Sequence, residues 1–87
     1  MPRSIHTDEY RALTAILLEA RQNAGLTQQE VANRLGKPQS YVAKVEGAER
    51  RIDLVEFIAL AKAIGSDPND LFHTVLATVD APKNSQR

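Results

Sequence analysis

The same four-residue start signal occurs twice in this chain, as TQQE at residues 27–30 and as DLVE at residues 53–56. Each copy opens a stretch with buried-type residues at helical spacing that a glycine ends. A side-chain oxygen at the first position accepts from the backbone N–H three residues on, while the glutamate reaches back to the first N–H, so local chemistry alone fixes a helix start. With Gly36 and Gly65 as stops, the first of these helices has room for about two turns and the second for about three. A two-turn helix does not hold by itself in water. The chain is therefore constrained to a bundle of short helices that depend on one another for burial.

The other elements follow from the same punctuation. Thr7 caps a first helix, with Asp8 and Glu9 in the first turn favoured by the helix dipole. Its apolar stripe is Tyr10, Leu13, Leu17, Ala20 and Ala24, and Gly25 ends it. Arg21 falls on that stripe, and a charge facing a core requires a partner. The second helix starts at about Gln28 and buries Val31, Ala32 and Leu35. Lys37 and Pro38 open a third, with the proline expected at the first helical position, and Gly47 closes it after Glu46. Residues 54–64 are apolar nearly all round, which predicts a central buried helix with Lys62 as its outlet to water. Asp67 caps a fifth helix opened by Pro68, with a stripe of Leu71, Phe72, Val75, Leu76 and Val79. No strand-like alternation occurs, so the fold class is all-α. The expected division is a flexible arm at 1–7, one domain at 8–79 and a polar tail at 80–87.

Composition narrows the functions this bundle can serve. The chain has 87 residues, enough for one domain, and no cysteine, which excludes disulfides, thiolate zinc sites and cysteine catalysis. His6 and His73 form no metal cluster, Glu9, Glu19 and Glu30 match no active-site spacing, and no glycine-rich phosphate loop or nucleophile motif is present. An enzyme, a metal and a cofactor are not expected. The longest apolar run, residues 57–61, is far short of the roughly 20 that span a bilayer, and the start lacks a signal-peptide centre. A cytoplasmic protein with no membrane partner is the expectation. Net charge is zero, yet residues 34–51 hold Arg34, Lys37, Lys44, Arg50 and Arg51 against Glu46 and Glu49, so a basic middle is balanced by acid elsewhere.

On a wheel of about 100° per residue, Val42 and Val45 mark the inner side of the third helix, and Glu46 lies beside them. Ser40 and Lys44 point the opposite way, with Gln39 and Ala43 on one flank and Tyr41 on the other. Two short helices joined by a glycine turn, the second presenting a small, hydrogen-bonding and basic face, describe a helix-turn-helix. The residues carrying the pattern are ARQNAGLTQQEVANRLG, then QSYVAKVEG, then IALAKAIGSDPNDLF. Over residues 17–72 the chain resembles the Cro/C1-type, or XRE, helix-turn-helix family of phage repressors and bacterial regulators.

That resemblance implies a five-helix lambda-repressor-like domain that reads double-stranded DNA. Helix three becomes the recognition helix, with Gln39, Ser40 and Lys44 at base edges and Ala43 against a thymine methyl. Thr27, Gln28, Lys37, Tyr41, Arg50 and Arg51 become contacts to phosphate, although Tyr41 packing against helix two is an equal alternative. Arg21 and Glu46 occupy positions where the family often has an ion pair. Family members often dimerise through the last helix, which points to Phe72, Val75, Leu76 and Val79. The implied function is a transcription regulator, a repressor on a pseudo-palindromic operator as a homodimer. The alternative is an antitoxin or other module that uses the same fold to bind a protein partner. Two departures from the family pattern stand out: Ala48 stands where a glycine is usual, leaving the loop path open, and Lys37–Pro38 replace small hydroxyl residues. Either a phosphate or Ser40 would then cap helix three. Arg3, in the loose start of the chain, is within reach of a minor groove as an arm, against the commoner outcome of a simply disordered end.

Overall fold

The computed structural model describes residues 7–80, so the expectations for Arg3, His6 and most of the arm and tail lie outside the described residues. Five α-helices make up this unit: α1 (Asp8–Asn23), α2 (Gln28–Leu35), α3 (Gln39–Glu46), α4 (Leu54–Ile64) and α5 (Pro68–Val79). No strand occurs among the described residues. Both capping boxes are formed, Thr27 with Glu30 and Asp53 with Glu56, while Thr7 and Asp67 cap α1 and α5.

Three helices stop in the same way. After α1, Gly25 turns left-handed and the N–H of Leu26 returns to the Arg21 carbonyl. Gly36 and Gly65 do the same for α2 and α4, with Lys37 N–H bonded to Ala32 O and Ser66 N–H to Ala61 O. Ala24 is the exposed cap of α1 and not part of its apolar stripe, because the helix has ended before it.

α1 lies against α5, α3 and α4; α2 against α3 and α4; and α4 against α5. Leu17, Val31, Ala32, Val42, Val45, Leu60 and Ala61 are almost wholly withdrawn from water at the centre, with Phe57, Ile64 and Leu71 around them. Burial of each large side chain contributes about 1.5–3 kcal/mol, which is how two two-turn helices are held. Arg34 fastens the end of α2 to α4, its Nη1 donating to the Ala63 carbonyl at 2.8 Å.

Two expectations fail here. Pro38 stands one residue before α3 as its N-cap, extended at ψ 156°. The fixed φ of proline suits both positions, and the hand-over from left-handed Gly36 requires an extended residue before the next helix. More consequentially, α4 is not buried all round: Leu54 is 65% exposed and Val55 73%, and Ile58 and Ala59 also face water. An apolar wheel records how much surface could be covered. It does not record how many neighbours exist to cover it, and here only Phe57, Leu60, Ala61, Ala63 and Ile64 are buried.

Candidate nucleic-acid interface

The α2–α3 unit is set by one glycine and one buried ion pair. Gly36, at φ 69°, reverses the chain between the helices. Behind them, Arg21 grips Glu46 through two nitrogens, Nε to Oε2 at 2.6 Å and Nη2 to Oε1 at 3.0 Å. Its remaining nitrogen, Nη1, donates to the Leu26 carbonyl at 2.8 Å. The two side chains are 11% and 8% exposed, so the last residue of α3 is tied to α1 by a charge pair with little water around it. Removing one partner of such a pair costs about 3–5 kcal/mol, because the other is left charged and buried.

This pair also sets the orientation of side chains at the surface. Glu46 Oε1 accepts a second hydrogen bond, from Gln28 Nε2 at 2.8 Å. A carboxylate offers only acceptors, so the Gln28 amide must turn its NH2 inward and its oxygen outward. That oxygen accepts from Gln39 Nε2 at 2.6 Å. The Gln39 amide is thereby oriented in turn, with its own oxygen and its second N–H unused. One acceptor beside one donor is the combination that pairs with adenine N6 and N7. A chain of four side chains thus runs from the core to the first residue of α3.

Beside Gln39, Ser40 and Lys44 are exposed and Ala43 is half-buried. Thr27 Oγ1 accepts from the Glu30 N–H at 3.0 Å, which leaves the hydroxyl proton available. The hydrogen bonds from Thr27 hold the exposed Glu30 carboxyl below its usual range. Pro38 has no side-chain donor or acceptor to cap α3, and no capping bond is made there.

Lys37, Tyr41 and Arg50 form a second group. The Lys37 ammonium is 5.3 Å from the Tyr41 ring centre and the Arg50 guanidinium 4.8 Å, so the half-buried ring carries two cations. Burial pushes the Tyr41 phenol up, with Glu56 adding to the effect and Arg50 opposing it. Arg50 also pairs with Glu56, Nη2 to Oε2 at 3.0 Å. Arg51 stacks on the Tyr10 ring at 4.7 Å. The Tyr10 hydroxyl donates to Arg50 O at 3.1 Å and accepts from the Ile52 N–H at 3.0 Å, which pins the loop between α3 and α4 to α1.

The path of that loop differs from a glycine stop at Gly47. Gly47 keeps a right-handed φ of −82° and Ala48 takes the left-handed turn at φ 60°. Glu49 N–H then returns to Lys44 O at 2.8 Å, as after the other helices. Sequence reasoning missed Tyr10 and Glu56 as partners of this region. Tyr10 reads only as a core residue of α1, and Glu56 only as half of a capping box.

The proposed seam residues of α5 are only partly covered by the rest of the unit. Phe72 is 50% exposed and Leu76 45%, while Val75 and Val79 are half-buried. Phe72 also lines a shallow apolar recess with Leu13, Leu54 and Phe57, so the exposed end of α4 joins this surface. Among the described residues no group of histidine or acidic side chains could hold a metal, and no helix is long and apolar enough to cross a membrane.

A family model described as helix-turn-helix matches residues 17–71. Among solved structures, an XRE-family like protein from Pseudomonas syringae pv. tomato str. DC3000 is 49% identical, with a TM-score of 0.80, over 91% of this chain and 94% of that one. The restriction-modification controller protein C.AhdI from Aeromonas hydrophila is 36% identical, with a TM-score of 0.63, over 70% of this chain and 92% of that one. No curated protein matches the chain. The family model covers the stretch from late α1 to early α5, and both solved relatives are matched over nearly their whole length. The chain therefore belongs to the XRE family of helix-turn-helix DNA-binding regulators, with a lambda-repressor-like arrangement of its five helices.

Proposed function

We propose that this chain is a transcription repressor that binds a pseudo-palindromic operator as a homodimer. Gln39, Ser40, Ala43 and Lys44 meet base edges, and Thr27, Gln28, Lys37, Tyr41, Arg50 and Arg51 follow the phosphate backbone. The observation that carries this reading is the hydrogen-bonded chain from Arg21 through Glu46 and Gln28 to Gln39. A merely solvated surface amide needs no such support, whereas a base-reading amide must be held in one orientation. The dimer rests on the exposed apolar side chains of α4 and α5, and on the fact that one recognition helix reads only half of a two-fold site.

Selection of duplexes from a random-sequence pool by the purified protein tests the proposal. The expected product holds two half-sites related by a two-fold axis, with centres about one DNA turn apart. Its affinity falls steeply as salt rises, in proportion to the number of phosphates neutralised. Failure to enrich any sequence, together with binding indifferent to salt, would rule the reading out in favour of a protein-binding module.

A further inference from the structure

The Arg50–Glu56 pair lies at the edge of the proposed backbone-contact surface, next to Lys37 and Tyr41. We propose that Glu56 is an internal competitor for the DNA backbone: its carboxylate occupies the guanidinium fork of Arg50 that a phosphate would take, so contact at this edge exchanges one anion for another. The inference rests on the DNA-binding reading above and adds a residue to it that makes no contact with DNA itself.

Four observations converge on this exchange. The contact is two-pronged, Arg50 Nη2 to Glu56 Oε2 at 3.0 Å and Nη1 to Oε1 at 3.4 Å. Guanidinium binds carboxylate and phosphate through the same planar fork, so the group that fills it now is a chemical stand-in for the proposed ligand. The pair is also open to solvent, its side chains 40% and 29% exposed, against the enclosed Arg21–Glu46 pair. Exposed pairs of this kind are weak enough to exchange. The carboxylate is meanwhile held independently of Arg50, because Glu56 Oε1 accepts from the Asp53 N–H at 2.9 Å in the capping box of α4. When Arg50 turns to a phosphate, Glu56 stays in place and gives up its half of the pair. Finally, the ring of Tyr41 carries Lys37 and Arg50 together, so loss of the Glu56 charge leaves two cations there with Asp53 as the remaining nearby anion.

The test is a double-substitution cycle read by affinity and by its salt dependence, on the best duplex from the random-pool selection. Glu56→Gln keeps an oxygen for the Asp53 N–H, since glutamine also serves in a capping box, and removes only the charge. Its thermal melting point checks that the fold is kept. The expected result is an affinity gain of about two- to fivefold, the worth of an exposed ion pair, with a slope of log K against log salt steeper by up to about 0.9. In an Arg50→Ala background the same substitution is expected to give no gain. An equal gain in both backgrounds overturns the proposal, because it reports a general field and not a competition for Arg50. No gain in either background, or a loss, also overturns it and leaves the pair as a brace for the loop. If the parent protein binds no duplex at all, it is the DNA-binding reading that fails, and the two failures are distinct.

Discussion

At the α2–α3 face a run of polar groups is already held, each by another: Gln39 by Gln28, Gln28 by Glu46, Glu46 by Arg21, and beside it Arg50 by Glu56. At the α4–α5 face, Leu54, Val55, Phe72 and Leu76 put about half or more of their surface into water. Both faces are exposed, but they are prepared differently. The polar face has its side chains ordered beforehand, so a partner there gains mainly in orientation and specificity and loses little rotamer freedom. The apolar face has no direction built in, and its gain on being covered is water released, at about 25 cal/mol per Å². The difference suits a molecule that reads one partner through the first surface and holds a second copy of itself through the other.

The sharpest way to break this comparison is to cut the polar chain at its root. Glu46→Ala leaves Arg21 charged, enclosed and unpaired, and should lower unfolding free energy by about 3–5 kcal/mol in a urea titration. A loss below about 1 kcal/mol would mean that the chain is a surface arrangement after all. The counterpart on the apolar face is Phe72→Asp. It should weaken self-association by about 2 kcal/mol or more in sedimentation equilibrium, as loss of a central aromatic does, while the monomer still folds. Val55→Asp then asks whether α4 belongs to the seam, because its 73% exposure predicts a change in monomer stability within about 0.5 kcal/mol. Unchanged association in both variants would leave the apolar face without the proposed role.

A smaller effect refines the polar side. Gln28→Ala keeps the Arg21–Glu46 pair and releases only Gln39 from its fixed orientation. Overall affinity should fall modestly, and discrimination at the single base pair that Gln39 reads should fall by about 1 kcal/mol, at the low end of what a two-pronged amide contact gives. Competition between duplexes that differ at one position measures it. A uniform loss over all positions would assign Gln28 to the backbone alone.

What could be read from the sequence was what local chemistry decides. The caps at Thr7, Thr27, Asp53 and Asp67 and the stops at Gly25, Gly36 and Gly65 depend on residues two to five apart, so both ends of α1, α2 and α4 and the start of α5 were legible without knowledge of the fold, while the ends of α3 were less so. Arg21 on an apolar stripe announced that a partner was required, and Glu46 lies 2.6 Å away. What could not be read depends on tertiary neighbours. The exposure of Leu54 and Val55 follows from how few elements surround α4, which no wheel contains. The pairing of Arg50 with Glu56 crosses a loop at a spacing that belongs to no helix or strand period. The Tyr10 bridge joins residues 40 and 42 positions apart.

The least expected effect concerns Ala48, in the loop that joins the reading face to the apolar one. Its φ of 60° is the left-handed region, which costs a residue with a Cβ about 1–2 kcal/mol. Ala48→Gly removes that cost, and also removes a buried methyl worth about 0.8 kcal/mol. Glycine further loses about 0.5–1 kcal/mol more than alanine in backbone freedom on folding. The gains and losses nearly cancel, so thermal melting should shift by no more than a few degrees, where 1 kcal/mol corresponds to about 4–8 °C for a domain of this size. Stabilisation well beyond that would mean that the alanine methyl is poorly packed and the turn is held against its preference by the Tyr10 bridge. Clear destabilisation would mean that the methyl is part of what joins the two faces.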